Sequence, residues 1–185
     1  MVRCFVAVEC TEAQVVSGFR VVQGILEASG ALLKNVELEN IHLTLKFLGE
    51  ISQNKVEEVS RVIEKISFEP FWFKVEGVGV FPNLRRPSVV WAGITDGASK
   101  LSIIYDELEE KLYNLGFKRE KRVFHPHFTI SRVRSGRNRN QLVEEILKIE
   151  DYTFGQIYID KILLKKSLLT PTGPIYTTLA ESQHK

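Results

Sequence analysis

Hydrophobic and polar positions along this chain alternate between two periods. Met1 to Glu9 reads as a strand. Thr11-Glu12-Ala13-Gln14 then has the form of a capping box, and Val15, Val16, Phe19, Val22, Ile25 and Leu26 recur at helical spacing, which predicts a helix over 12–28. Ile41 to Leu48 alternates as a strand and stops at Gly49. Ser52 opens a second helix, with Val56, Val59, Val62, Ile63 and Ile66 on one face. Strands follow at 71–80 and 88–94, on either side of the turn-rich run FPNLRRPS. The second half predicts a helix near 98–115, a strand at 127–133, a helix near 140–149 and a strand near 153–165. Ile175 to Leu179 is placed to close a sheet.

One phrase occurs twice within this pattern. His42-Leu43-Thr44-Leu45 and His127-Phe128-Thr129-Ile130 stand 85 residues apart, each on the middle strand of a β-α-β-α-β half. The same shift lays strand 2–8 on 87–93, so the architecture is duplicated although few residues outside the phrase are shared. The fold class predicted is α+β and bilobal. Two lobes, approximately 1–83 and 84–185 with their termini exchanged, would be related by a pseudo-twofold axis, with mainly antiparallel sheets lining a central cleft. No flexible linker separates the halves, so residues 1–185 are read as one domain. Equivalent strands brought together by the axis would turn the two His-Thr phrases toward each other.

Strict alternation puts His42, Thr44 and Lys46 on one face and Leu43, Leu45 and Phe47 on the other. It likewise groups His127, Thr129 and Ser131 against Phe128 and Ile130. The apolar sets suit packing under helices. The polar sets need water, a ligand or partners, because buried unpaired imidazoles and hydroxyls are costly. A single strand histidine is usually structural; two identical phrases at equivalent places in a duplicated architecture point to chemistry. With ordinary pKa values near 6.5, one of two facing imidazoles can take a proton while the other gives one. In-line displacement at phosphorus needs such a pair. Threonine hydroxyls can donate to the non-bridging oxygens, and Lys46 or Arg132 can stabilise charge that builds there.

Composition narrows the alternatives. The chain has 185 residues, 44% of them hydrophobic and 26% charged, and no apolar run long enough to cross a bilayer. The N-terminal strand lacks a signal-peptide h-region, and a cytoplasmic setting is expected. Cys4 and Cys10 would stand roughly 20 Å apart along an extended chain, beyond disulfide reach, and are read as reduced. Two histidines without a carboxylate fall short of a usual metal set, and His125 adds little from its place before Pro126; no metal or cofactor is expected. No GxSxG run supports a serine hydrolase. The net charge of +2 argues against wholesale coating of a nucleic acid, yet Arg132, Arg134, Arg137 and Arg139 crowd beside the second phrase.

These residues carry a family resemblance. HLTL and HFTI look like the paired HxTx motifs of the two-histidine (2H) phosphoesterase superfamily. Within it the chain resembles the RNA 2′,3′-cyclic phosphodiesterases, also called 2′-5′ RNA ligases. The similarity runs nearly end to end, through RCFVAVE, HLTLKFLGE, RRPSVVWAGI, HPHFTISRV and SLLTPTGPIYTTL. It implies metal-independent opening of an RNA 2′,3′-cyclic phosphate to a 2′-phosphate. His42 would be the proton donor to the leaving 3′ oxygen and His127 the proton acceptor that activates water. Thr44, Thr129 and Arg132 would bind the phosphate. Arg132 matches the arginine that commonly follows the second motif, while Ser131 stands where the family often has alanine. Plain alternation points Arg132 away from His127, so a strand end or bulge is required to bring it to the cleft. Phe47, Phe81 and Trp91 are candidates to stack a base, although each also suits the core.

The implied partner is an RNA with a 2′,3′-cyclic phosphate end, tRNA fragments among the candidates; a monomer is expected and no membrane. The same residues leave open a cyclic nucleotide phosphodiesterase of the superfamily, a non-catalytic RNA-end-binding module, and the reverse reaction of 2′-5′ ligation.

Overall fold

The computed structural model describes residues 1–184. Its strands are β1 (Val2–Glu9), β2 (Leu33–Asn35), β3 (His42–Ile51), β4 (Ser67–Phe68), β5 (Phe71–Phe81), β6 (Val89–Ile94), β7 (His127–Val133), β8 (Thr153–Ile159), β9 (Leu163–Thr170), β10 (Gly173–Glu181) and β11 (Gln183–His184). The helices are α1 (Ala13–Ala28), α2 (Gln53–Glu64), α3 (Ala98–Asn114) and α4 (Arg139–Lys148). The predicted α+β class is what the chain adopts. An open antiparallel sheet runs β10-β9-β1-β3-β7-β6-β5-β8, with β2 also paired to β7. β4 and β11 form a small parallel pair apart from it.

Sequence and structure differ at several boundaries. The run expected as one strand near 153–165 breaks into β8 and β9, and the closing strand at 175–179 extends to Gly173–Glu181. The capping box at Thr11 does not form; Glu12 is the N-cap of α1, without a side-chain hydrogen bond. Ser52 does cap α2, its Oγ accepting from the Lys55 N–H at 3.2 Å. β2, β4, β11 and the 3₁₀ turn Leu38–Asn40 are too short to give a periodic signal.

The sheet has two halves, and each draws on both sides of residue 83. β9 pairs with β1, so the late hairpin β9–β10 extends the half containing β1 and β3. β5 joins β6, β7 and β8 in the other. α1 crosses beneath β8 and β7 beside α4, while α2 packs against α3, β9 and β10. Helix α1 commits its apolar stripe, Val15, Phe19, Val22 and Leu26, to this core. Among the described residues, no helix is long and apolar enough to cross a membrane.

The halves meet at β3 and β7, which share a single paired position, Leu43 with Phe128. Phe128 is fully buried, its ring centroid 5.6 Å from Phe19 and 6.3 Å from Phe73. Phe19 in turn lies 5.1 Å from Phe154. Truncating a buried phenylalanine costs about 3–5 kcal/mol, through lost transfer energy and the cavity left behind. Phe128→Ala should therefore lower the unfolding free energy by that amount in urea denaturation; a loss below about 1 kcal/mol would contradict the packing described.

Candidate active site

The β3–β7 junction orders the four motif side chains. In an antiparallel pair, directly opposed residues share a face. With Leu43 opposite Phe128, one step along each strand puts His42 opposite Thr129 and Thr44 opposite His127. The four polar groups thus flank the Leu43–Phe128 pair on the cleft face, each histidine on the same side of that pair as the other phrase's threonine. Leu43 and Phe128 point the other way and are buried.

Each phrase ends in a bulge, and the two bulges are equivalent. On β3, Val6 and Ala7 of β1 pair with Lys46 and Thr44, leaving Leu45 as the extra residue. On β7, Val90 and Trp91 of β6 pair with Ser131 and Thr129, leaving Ile130 extra. A bulge shifts the side-chain parity of everything beyond it. Three expectations from strict alternation are corrected for this reason. Ser131 is not on the histidine face: it is 0% exposed and buried on the helix side, its hydroxyl without a hydrogen-bond partner among the described residues. Lys46 also turns to the helix side, where its Nζ lies 2.5 Å from Glu109 Oε1 on α3 and donates to the Lys118 carbonyl at 2.9 Å. Phe47 leaves the apolar wall and is 64% exposed. The same shift carries Arg132 to the exposed side, as its parity required. Its charge acts on both His42 and His127.

The two imidazoles are anchored alike. His42 Nδ1 lies 2.7 Å from the carbonyl of Asn40, and His127 Nδ1 lies 2.6 Å from the carbonyl of His125. A carbonyl oxygen can only accept, so Nδ1 carries the hydrogen and Nε2 is left to act. Sequence reasoning missed these anchors because they are backbone groups. The recurring signal available was position, two residues before each histidine.

Burial holds both imidazoles below their ordinary pKa. At His42 the desolvation is countered first by the Asn40 carbonyl; Lys165 and Arg132 lower the value further, while the Glu9 carboxylate raises it. At His127 desolvation again leads and the His125 carbonyl counters it, but both neighbouring charges, His125 and Arg132, lower the value. His42 therefore has an acidic neighbour in Glu9, outweighed by Lys165, whereas the charges felt at His127 are all positive.

Residues far apart in sequence complete the surroundings. Phe5 and Tyr176 pack on the His42 ring at centroid distances of 4.7 and 5.3 Å. They share with Glu9, Asn40, His42 and Lys165 a cavity of about 380 Å³. Lys165 is buried in an ion pair with Glu9 and donates to Thr178 Oγ1 at 3.0 Å. Around His127 stand Phe81, Trp91 and His125, the first at 4.9 Å and edge-on. Of the stacking candidates, Phe47 is exposed, while Phe81 and Trp91 are half-buried in this cluster. Cys4 and Cys10 are free, and burial pushes the Cys10 thiol up to about 12. Among the described residues, no group of three or more His, Cys, Asp and Glu is placed to hold a metal ion.

A family model described as LigT-like phosphoesterase matches the chain twice, over residues 11–91 and 94–176. The chain belongs to this family. It is 42% identical over 153 residues to the RNA 2′,3′-cyclic phosphodiesterase of Aeropyrum pernix, covering 83% of this chain and 87% of that one. It is 37% identical over 180 residues to the protein of the same name from Methanothermobacter thermautotrophicus, covering 96% of each. The apo crystal structure of E. coli LigT has the same fold, with a TM-score of 0.78 at 23% identity over 100% of this chain and 98% of that one.

A histidine with a depressed folded-state pKa binds fewer protons folded than unfolded, so its contribution to stability falls as pH drops from the unfolded value near 6.5. Nuclear magnetic resonance titration should place both imidazole midpoints below 6.5, and urea stability should decline as pH falls below that value. Inorganic phosphate should raise the midpoints by favouring the charged imidazole. A midpoint at or above 6.5 in the free protein would contradict the burial argument.

Proposed function

We propose that this chain hydrolyses RNA 2′,3′-cyclic phosphate ends to 2′-phosphates by paired histidine acid–base catalysis, with His42 as proton donor and His127 as proton acceptor. The observation that carries the reading is that His42, Thr44, His127 and Thr129 flank the single Leu43–Phe128 pair that joins β3 to β7. We read the space between the two phrases as the place of the phosphate. The names of the Aeropyrum pernix and Methanothermobacter thermautotrophicus relatives support the substrate class.

The reaction runs in line. The terminal ribose lies on the His42 side, with the cyclic phosphate between the phrases. Neutral His127 takes a proton at Nε2 from water as the water oxygen bonds to phosphorus. The bond from phosphorus to the 3′ oxygen breaks, and that oxygen receives the proton from His42 Nε2. The products are a 2′-phosphate and a 3′-hydroxyl, and the proton returns from His127 to His42 through solvent. Thr44 and Thr129 donate to the non-bridging oxygens, and Arg132 balances charge that grows there.

The electrostatics suit proton transfer by this pair of imidazoles. Burial disposes both imidazoles toward the neutral form that a base needs. The anionic substrate supplies the charge that draws one proton into the pair. The division of roles does not come from these neighbouring charges, since at His42 Lys165 outweighs Glu9 and Arg132 lowers both imidazoles; it follows the family resemblance of the two motifs. An RNA 5′-hydroxyl in the place of water gives 2′-5′ ligation in the same direction, with the same bond to the 3′ oxygen breaking and the same histidine roles. The reading extends to a single catalytic domain over residues 1–185, acting as a monomer in the cytoplasm on ends such as those of tRNA fragments.

His42→Ala and His127→Ala should each reduce kcat on a cyclic-phosphate-ended RNA by about 10²–10⁴-fold while leaving the thermal transition of the fold in place. Near wild-type turnover in either variant would remove the mechanism. The product should be a 2′-phosphate; a 3′-phosphate would reverse the assignment of the leaving oxygen. Turnover should persist in a strong chelator, and loss restored by an added divalent ion would move the catalytic role to a metal.

A further inference from the structure

The pairing of β2 with β7 sets Lys34 directly opposite Arg132, and both are exposed. Like charges in that relation destabilise a sheet, so folding alone gives no reason for them. They are part of a larger set. Beyond Arg132 the chain carries Arg134, Arg137 and Arg139, and the loop between β5 and β6 carries Arg85 and Arg86, all exposed. The ends of these elements converge. Val133 N–H donates to the Ser88 carbonyl at 3.0 Å, Arg134 N–H to the Leu32 carbonyl at 2.8 Å, and Arg139 Nη1 to the Arg85 carbonyl at 3.1 Å.

The charge is concentrated and uncompensated. The whole chain is only +2, from 25 basic and 23 acidic residues, so what remains outside this one rim is net acidic. Elsewhere lysines find carboxylates, as Lys46 does with Glu109 and Lys161 with Glu181. Among the described residues, none of the basic side chains of the rim is in an ion pair. Glu27, near β2, accepts a hydrogen bond from Asn35 at 2.6 Å.

The loops that bear these charges are also built rather than loose. Asn83 Oδ1 accepts from the N–H groups of Arg85 and Arg86 at 3.0 and 3.2 Å. Ser135 Oγ accepts from Arg137 N–H at 3.2 Å, and Asn138 Nδ2 donates to the Gly30 carbonyl at 3.0 Å. An array of cations carried on hydrogen-bonded loops, starting at the residue whose charge reaches both histidines, suits a polyanion that enters the cleft by its end.

We infer that Lys34, Arg85, Arg86, Arg134 and Arg137 form a track for the backbone phosphates of the RNA segment 5′ to the reacting end. This rests on the RNA-end reading and extends it: the enzyme would discriminate between a chain and a mononucleotide through contacts remote from the chemistry. Arg132 is the hinge between the two, serving the reacting phosphate on one side and continuing into the track on the other.

The test compares wild type with the fourfold variant R85A/R86A/R134A/R137A. The first readout is fluorescence anisotropy with a labelled single-stranded RNA bearing a 3′-hydroxyl, titrated at several salt concentrations. The variant should bind at least about tenfold more weakly near physiological salt, and its dependence of log K on log salt should be shallower by about 0.7 for each phosphate that it no longer neutralises. The second readout is the ratio of kcat/KM for a cyclic-phosphate-ended oligonucleotide to that for a nucleoside 2′,3′-cyclic phosphate, which should fall in the variant. Unchanged affinity and salt slope would overturn the track. So would a polyglutamate peptide that competes with the RNA on equal terms and loses affinity equally in the variant, since the rim would then serve an acidic protein. Should wild type turn over neither substrate yet bind RNA with the predicted slope and the predicted loss, the catalytic reading fails and the track stands.

Discussion

Everything at the candidate site depends on how little β3 and β7 share. One paired position, Leu43 with Phe128, joins two half-sheets that are otherwise complete. A longer pairing would bury the cleft face under neighbouring side chains. No pairing would leave the two phrases free to drift. A single buried contact, with Phe128 packed against Phe19 and Phe73 beneath it, fixes the relation of the two histidines while leaving the strands to part on either side. Precision at the site is thus supplied from the apolar side of the sheet, where packing energy is available.

The two bulges complete the arrangement. A regular strand would send Arg132 into the core, where its charge would be costly, and would leave Lys46 on the cleft face. The extra residues at Leu45 and Ile130 invert both outcomes at once. Since the bulges are equivalent under the internal duplication, the same backbone device delivers an aromatic ring at Phe47 in one half and a guanidinium at Arg132 in the other. Shared backbone geometry with divergent side chains is how a symmetric scaffold provides two unlike sides to a substrate. Both imidazoles are anchored through Nδ1 to a carbonyl and partly desolvated, and different charges surround them: Lys165, Glu9 and Arg132 at His42, His125 and Arg132 at His127.

The further basic rim follows from the same topology. β2 fills the edge of β7 where β3 has already ended, and its arrival puts Lys34 beside Arg132. The loops after β5 and β7 end at the same edge and bring their arginines with them. The charge asymmetry therefore arises from segments distant in sequence that the sheet order collects.

Much of this was legible in the order of residues. Repetition of His-x-Thr on alternating strands, 85 residues apart, singled out the residues of the candidate site, because side-chain period is local and a duplicated architecture implies facing equivalents. The long helices were equally plain from their apolar spacing. What could not be read was any feature set by pairing partners. Strand parity beyond His42 and His127 depends on bulges, and a bulge is defined by two residues facing one on the neighbouring strand. The placing of Phe5, Tyr176, Glu9 and Lys165 around His42 required the late hairpin to join the first strand. Local periodicity determined that each histidine shares a face with its threonine; contacts between strands far apart in the chain decided which way Ser131, Lys46, Phe47 and Arg132 face.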